Sequence, residues 1–302
     1  MVSILNYAVF LPSIVSVYNY LINKKLFDQL ILESKPLPIE FGYGIYHIQF
    51  SIILAVAVVF GCFSIISLLK EKKDHWFFVL CILTLLNLIS IHILSARTGL
   101  LAMYFGLLAV ILGSIRSAGR RIKIYAITAS VLIPVLLFIS STSLQNRLKN
   151  SIADLKVVLN KTDANDYSFA MRVAGWKNAA DVIKHHTFSG VGIGDADEVL
   201  NKNFETFDPS IQAQNRRNPH LQFLETAVQS GLLSSFLFLL ILWALIRSKQ
   251  SASARFITIA SVLLMFVSSC FESILESQAS VVAFSLFLAL AYQFKSEFKP
   301  VM

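Results

Sequence analysis

A small set of basic side chains has the chemistry to bind a phosphorylated substrate and to accept a proton. Arg97 stands alone between two long apolar runs, and a polar insert further along the chain carries Arg172, Arg216, Arg217 and His220. The planar fork of arginine binds two phosphate oxygens, and histidine exchanges a proton near neutral pH. A cation beside an apolar segment is costly unless it is satisfied. Together these residues indicate an anionic, lipid-linked substrate at one face of a membrane.

Each basic residue also has an interpretation that involves no ligand. Arg97 fits an interfacial anchor that reaches the lipid headgroups, and Arg172 fits the solvated face of a helix. The Arg216-Arg217 pair fits an ordinary basic loop, and His220 fits a histidine at a helix start. The functional interpretation depends on their combination, a membrane-face cation together with a basic insert.

Acidic and glycine-rich segments suggest further contacts but no bound cofactor. Glu272 and Glu276 lie between the last two apolar runs, where they could pair with the arginines or line a substrate site. Asp195-Ala196-Asp197 resembles a metal-binding acidic pair, yet two acids in a loop are common, and His185-His186 lacks a third ligand at useful spacing. Gly190–Gly194 has no preceding strand and favours a turn. We therefore expect no cofactor and no metal.

The composition indicates a polytopic membrane protein. Of 302 residues, 56% are hydrophobic and only 15% are charged, whereas about a quarter of a typical soluble protein is charged. The apolar runs are continuous, which favours transmembrane helices. The net charge of +8 fits basic cytoplasmic loops, since the sequence has no nucleic-acid motif. Cys62, Cys81 and Cys270 all fall in apolar segments and fit core positions.

Eight candidate spans divide the chain, and we predict a single all-α integral-membrane domain over residues 1–302. The candidate spans are residues 3–22, 48–69, 76–94, 98–115, 122–141, 232–247, 255–271 and 279–294. The first is the weakest, because Asn6, Pro12 and Asn19 interrupt it. Lysines and arginines cluster at alternate connections, which assigns those connections to the cytoplasm. The connection at Arg97 and the insert, residues 142–231 between spans five and six, then face outward.

The insert has its own helical organisation. Residues 142–166 are polar, whereas residues 168–186 predict an amphipathic helix that could rest on the membrane or cover the transmembrane core. Its expected apolar stripe comprises Val173, Trp176, Ala180 and Ile183. A glycine turn ends this helix, and a second helical segment, residues 219–230, leads into the sixth span.

Four sequence elements occur in an order that resembles a known family. These are Arg97-Thr98-Gly99-Leu100-Leu101, then Arg172 through Trp176 with the later Gly190–Gly194 turn, then Asn218-Pro219-His220 with Gly231 eleven residues on, and finally Phe271-Glu272-Ser273 with Glu276-Ser277-Gln278. The set is similar to the O-antigen ligase and polymerase superfamily of bacterial envelope glycosyltransferases, in its Bacteroidetes type. The chain departs from the family pattern at Leu221 and Ser234. Family members typically have additional preceding spans, so the resemblance predicts that this chain is N-terminally short.

The resemblance implies a GT-C-like, metal-independent transferase in the bacterial inner membrane, with its active site facing the periplasm. The implied donor is a glycan on undecaprenyl diphosphate. The implied acceptor is a hydroxyl of lipid A–core in a ligase, of a second lipid-linked glycan in a polymerase, or of a protein. Residue by residue, it assigns the diphosphate to Arg97 and Arg172, support to Arg216 or Arg217, and acceptor activation to His220. Glu272 and Glu276 are expected to contact substrate.

A non-enzymatic transporter of lipid-linked glycans is the alternative from another class. A transporter favours charged residues in the middle of its spans and internal repeats, and the sequence has neither feature. Its charges cluster at one face, which favours chemistry there.

Overall fold

The computed structural model describes a chain built from helices. The described residues are 2–32, 47–71, 74–116, 119–140, 142–160, 163–165, 167–216, 218–248 and 252–297. Across these ranges the chain forms α-helices and two short 3-10 helices, and it forms no β-strand there. The predicted all-α fold is therefore confirmed.

The helices follow in chain order. They are α1 (Val2–Ile22), α2 (Lys24–Leu32), α3 (His47–Glu71), α4 (Asp74–Leu94), α5 (Arg97–Ser114), α6 (Arg120–Ser140), α7 (Thr142–Asn160), α8 (Ser168–His185), α9 (Ala196–Phe207), α10 (Gln222–Ser230), α11 (Leu232–Arg247), α12 (Ala252–Ser269) and α13 (Gln278–Glu297). The 3-10 helices are Ala213–Asn215 and Ile274–Glu276.

The eight apolar runs of the sequence all coincide with helices, namely α1, α3, α4, α5, α6, α11, α12 and α13. Within the described ranges, three segments are long and apolar enough to cross a membrane by length and composition: His47–Ile66, Phe77–Leu94 and Arg97–Ser114. Shorter apolar helices are Val9–Ile22, Leu232–Arg247 and Arg255–Ser269. The helices are confirmed, and the number of about eight spans stays a prediction.

The chain groups into two compact units. Unit 1 comprises Met1–Arg147, Ile246–Ser268 and Gln278–Met302, and unit 2 comprises Leu148–Leu245 and Ser269–Ser277. Unit 2 contains most of the polar insert predicted over residues 142–231. The single integral-membrane domain with one inserted loop stays a prediction.

Helix α3 packs against α1, α4, α5 and α13 in unit 1. Its middle turns, residues 54–60, are fully buried. Helix α5 approaches it closely, because a Cβ atom on Gly99 would lie 2.4 Å from Ser51 Oγ. Only glycine fits such an approach without displacement of its neighbours. This contact fixes the first turn of α5, which begins at Arg97.

Polar side chains join α1 to α4 inside unit 1. Asn87 Nδ2 donates to Asn6 Oδ1 at 3.0 Å, and Ser13 Oγ donates to Asn87 Oδ1 at 2.7 Å. Ser90 Oγ donates to the Ser13 carbonyl at 3.0 Å. All four side chains are buried. Hydrogen bonds of this kind hold apolar helices together, so Asn6, which weakens α1 in the sequence pattern, anchors it in the structure.

Helix α8 confirms the predicted amphipathic helix but only part of its stripe. Ile183 is buried, whereas Ala180 is exposed and Trp176 is half-buried. The buried face instead carries small residues, among them Ala170, Ala174 and Ala179, and packs against α9 and α10. Alanine lets helices approach closely. The predicted stripe was based mainly on large apolar residues, so it missed the face that carries these alanines.

Helix α7 is longer and more regular than the polar sequence predicted. It runs from Thr142 to Asn160, through residues expected only to be polar. Its Asp154 side chain is buried, and Oδ2 accepts a hydrogen bond from the Phe169 amide at 3.0 Å. This bond satisfies one of the free N–H groups in the first turn of α8.

Candidate functional site

Three side chains of unit 2 form a connected polar group. His220 Nδ1 lies 2.9 Å from Glu272 Oε2, and Arg172 Nη2 lies 3.3 Å from Glu272 Oε1. Arg172 Nη1 also donates to the main-chain carbonyl of Phe271. The three side chains come from α8, from the segment before α10 and from the loop between α12 and α13. The fold therefore joins segments that are far apart in sequence.

Helix α8 positions both Arg172 and the segment that leads to His220. Arg172 and Trp176 are four residues apart, so they lie on neighbouring turns of the same face. Trp176 Nε1 donates to the Pro219 carbonyl at 2.7 Å. The ring of Phe169 packs edge-on against Trp176 with 6.0 Å between centroids. One helix thus holds the arginine and the backbone next to the histidine.

The backbone of His220 has an uncommon conformation. Its φ angle is +45°, in the left-handed region that few residues other than glycine adopt. Such a conformation costs of order 1–3 kcal/mol and persists when the surrounding contacts determine it. Here the Trp176–Pro219 bond precedes His220 and α10 begins two residues after it. In this conformation the His220 side chain contacts Glu272.

Helix α10 fixes the loop that carries Glu272. Leu275 donates its amide to Gln222 Oε1 at 2.7 Å, and Ser273 Oγ donates to Glu225 Oε2 at 3.2 Å. Gln222 and Glu225 are both buried. Two side chains of one helix therefore bind the loop residues that follow Glu272. These bonds hold the backbone next to Glu272 against α10.

The electrostatics of this group favour an ionised Glu272. Burial alone raises the pKa of Glu272, but the hydrogen bond from His220 and the positive charge of Arg172 outweigh burial and leave this pKa below its usual value. An ionised carboxylate accepts hydrogen bonds and donates none, so His220 Nδ1 must carry a proton and donate it. The other ring nitrogen, Nε2, is then the one that can take up a proton from a substrate.

A second carboxyl group lies next to this arrangement. Glu225 is 2% exposed and its carboxyl accepts the bond from Ser273. Burial, and after it the negative charge of Glu276, raise the pKa of Glu225 to about 7, while the Ser273 bond and His220 oppose the rise. Glu225 therefore changes its protonation state near neutral pH.

Two arginines influence one another in unit 1. Arg97 is half-buried at the first position of α5, between the buried residues Ala96 and Thr98. Arg147 on α7 is 9% exposed. Burial, and after it the positive charge of Arg97, lower the pKa of Arg147 to about 10. The lone arginine of the sequence pattern thus has a second arginine close enough to repel it.

The other predicted site residues have different surroundings. Arg216 Nη1 pairs with Glu205 Oε1 at 3.1 Å, and Arg217 lies outside the described residues. Glu276 is exposed on the second 3-10 helix. Asp197 Oδ1 accepts a hydrogen bond from Asn218 Nδ2 at 2.8 Å. Across the described part of the chain, His, Cys, Asp and Glu side chains form no group of three or more suited to a metal ion.

Sequence reasoning missed Arg147 and Glu225. Arg147 lies in a polar stretch, where an additional arginine does not stand out from the composition. Glu225 carries a stronger signal, because it is the lone acidic residue of the helical segment that follows His220. An acid on the buried side of an apolar helix indicates a functional or tightly bonded group.

Comparison with known proteins places the chain in a family. No curated protein sequence matches it. A sequence model described as O-antigen ligase matches residues 82–239, a little more than half of the chain. The matched part contains Arg97, Arg147, Arg172 and His220, whereas Glu272 follows it. The matched helices include strongly apolar segments long enough to span a membrane. The chain therefore belongs to the O-antigen ligase family, whose members are membrane glycosyltransferases.

Proposed function

We propose that this protein transfers a glycan from undecaprenyl diphosphate to an acceptor hydroxyl, with lipid A–core as the acceptor. The observation that carries the proposal is the contact of His220 with Glu272, which is itself paired with Arg172. A histidine oriented by a carboxylate is an arrangement that accepts a proton from a hydroxyl nucleophile. Family membership supplies the reaction class, and this arrangement supplies the base.

The proposed step moves one proton and exchanges one bond. The acceptor hydroxyl gives its proton to His220 Nε2, and its oxygen forms a bond to the anomeric carbon of the donor. The bond from that carbon to the diphosphate breaks, and the diphosphate leaves with the electron pair. Glu272 stabilises the positive charge that develops on the imidazole ring. The donor diphosphate supplies the driving force, so the reaction requires no ATP.

Arginines are suited to the charge that grows on the leaving diphosphate. A guanidinium group that is already in place stabilises this charge in the transition state. We assign this role to Arg97, the arginine of the first sequence element that resembles the family. Arg172 is a second candidate ligand for the diphosphate, and its bond to Glu272 also makes it a positioning residue for His220. Arg216 or Arg217, with Glu276, would contact other parts of the substrates.

The proposed location is the periplasmic face of the inner membrane. Connections rich in lysine and arginine stay in the cytoplasm. The connections at Arg97 and over residues 142–231 alternate with such basic connections along the sequence, which supports a location on the opposite face. A cysteine placed at Asn160 should react with an impermeant reagent added from outside, and one placed at Lys72 should not. The opposite labelling pattern would contradict the proposed location.

The proposed base is tested by His220→Asn in the purified full chain, reconstituted with an undecaprenyl-diphosphate-linked glycan and lipid A–core. Asparagine tolerates a positive φ angle and can donate to Glu272, but it takes up no proton near neutral pH. We expect transfer to fall by about 100-fold or more, because general base catalysis contributes roughly 10²–10⁴-fold, while donor binding is retained. Lys202→Ala, at an exposed residue of the same unit, is the control and should transfer normally.

The acceptor is tested in the same assay. Transfer to a second lipid-linked glycan, or to a protein, in preference to lipid A–core would replace the ligase assignment with a polymerase or a protein glycosyltransferase. Normal transfer by His220→Asn would eliminate the proposed base. Movement of the intact lipid-linked glycan between the leaflets, without any glycosyl transfer, would instead support the transporter alternative.

A further inference from the structure

The turn after α8 exposes large apolar side chains. In the segment of residues 187–193, here called the 187–193 loop, Phe188 is 92% exposed and Ile193 is 73% exposed. Isolated exposed apolar residues are common on protein surfaces. Two large ones on one short turn are less common and indicate a surface that contacts something apolar. The proposed transfer chemistry uses neither side chain.

The backbone of this loop is tightly held. Val191 and Gly192 donate their amides to the carbonyls of Val228 and Gln229, at 2.8 and 3.0 Å. A Cβ atom on Gly231, whose φ angle is +85°, would lie 2.1 Å from the Phe188 carbonyl oxygen. These contacts require glycine at that position and bring the loop against the junction of α10 and α11. Phe188 is therefore exposed on an ordered turn.

The loop is continuous with the start of α11. The Leu232 amide, the first of that helix, donates to the Thr187 carbonyl at 2.9 Å. Helix α11 is an apolar helix and the sixth predicted span. Its first turns expose further large apolar side chains, with Leu233 and Phe236 more than half exposed. Loop and helix start thus present one apolar surface within unit 2.

Basic residues border this surface on the side of α8, and the exposed Asp195 and Asp197 follow it on the side of α9. The end of α8 and its cap carry Lys184, His185 and His186, and all three side chains are exposed. A lysine beside an apolar tip is complementary to anionic lipid headgroups over a deeper acyl layer. Because this apolar tip is joined to the apolar helix α11, it matches a bilayer interface better than it matches the surface of another protein.

We infer that the 187–193 loop and the first turn of α11 insert together into the lipid interface, with Phe188 and Ile193 among the acyl chains. The occupant of this surface is the bilayer itself. The inference does not depend on the proposed transfer reaction, nor on which face of the membrane the loop meets. It gives the glycine turn a role, namely to present a rigid lipid-contacting tip beside a helix that enters the membrane.

The experiment measures the depth of spin labels in liposomes that contain phosphatidylethanolamine and phosphatidylglycerol. In the full chain, serine replaces Cys62, Cys81 and Cys270, and a single cysteine at Phe188 or Ile193 carries the label. A label at Asn201, an exposed residue on α9 of the same unit, is the matched control. Collisions with oxygen report the acyl region, and collisions with a water-soluble nickel complex report the aqueous phase.

We expect the ratio of oxygen to nickel collisions at Phe188 and Ile193 to exceed the ratio at Asn201 severalfold. The corresponding depth is about 5–10 Å into the headgroup and acyl boundary. Equal ratios at all three positions would overturn the inference. Protection from both reagents at Phe188 would also overturn it, because that result indicates a protein contact or a second copy. Each labelled protein is first compared with the cysteine-free parent in thermal unfolding, and Ile193 serves as the second site if the change at Phe188 destabilises the fold.

Discussion

The two compact units contain arginines with different charged neighbours. In unit 2, Arg172 is paired with the carboxylate of Glu272 and bonded to a main-chain carbonyl. In unit 1, the charge of Arg97 lowers the pKa of buried Arg147. In unit 2 a carboxylate pairs with the arginine, and in unit 1 one arginine acts on another. The contrast teaches that arginines with the same sequence signal can have different roles, since the role depends on the charge beside them.

The largest expected effect concerns Arg97. Arg97→Lys keeps a positive charge but loses the planar fork, so we expect transfer to fall by about 100-fold or more, as on removal of one transition-state ligand. Arg97→Ala should be at least as impaired. The measurement is kcat/KM with a purified lipid-linked glycan, together with separate donor binding. Arg255→Ala, at an exposed arginine of the same unit, is the control. Near-normal transfer by Arg97→Ala would return this residue to the role of an interfacial anchor.

The next effect concerns the stability of the Arg172–Glu272 pair. Arg172→Met leaves a partly buried carboxylate without its arginine, and we expect the free energy of unfolding to fall by about 3 kcal/mol, the lower end for a broken buried pair. In the double variant Arg172→Met/Glu272→Gln, part of this loss should be recovered, because the uncompensated charge is gone. Unfolding in detergent measures both changes. Strictly additive effects would show that the two side chains do not depend on one another.

An exposed ion pair of unit 2 supplies the contrast for that experiment. Lys202 pairs with Glu198 one turn earlier on α9, and both side chains are exposed. Solvent screens such pairs, so breaking it by Lys202→Ala should not change stability measurably. A loss of unfolding free energy as large as that of Arg172→Met would contradict the expectation that an exposed ion pair contributes less to stability than a buried one.

The smallest predicted effect is the pH dependence set by Glu225. Its pKa is about 7 in the folded protein and about 4.5 when unperturbed, so the folded state binds more protons between these values. Its contribution to stability is therefore greatest below the unfolded pKa and declines as the pH rises toward 7. Between about pH 5 and pH 7, we expect the free energy of unfolding of the wild type to fall by about 2 kcal/mol relative to that of Glu225→Gln. This figure follows because a pKa difference of one unit corresponds to about 1.4 kcal/mol.

A second variant sharpens the Glu225 prediction. The charge of Glu276 is the second cause of the raised pKa of Glu225, so Glu276→Gln should reduce the pH dependence without removing it. Unfolding free energies measured across this pH range test both variants. Identical pH profiles for the wild type and Glu225→Gln would mean that Glu225 does not titrate in this range.

The sequence by itself determined the helical elements and the candidate residues within them. Long continuous apolar runs have one backbone solution in a membrane, so the helices follow from composition and length. Arg97, Arg172 and His220 stand out because a cation near an apolar segment, or a histidine before one, is uncommon. The glycine-rich sequence after α8 also predicted a turn. In the structure, Gly190 and Gly192 adopt the positive φ angles that such a turn requires.

Only the tertiary structure decided which residues act on one another. Glu272 meets His220 because α10 holds its loop through Gln222 and Glu225, and no local pattern encodes a contact between such distant segments. The repulsion of Arg147 by Arg97 likewise depends on where α7 lies. Periodicity reports which side of a helix is apolar, but pKa values and ion pairs depend on distance and burial, and these are set when helices pack.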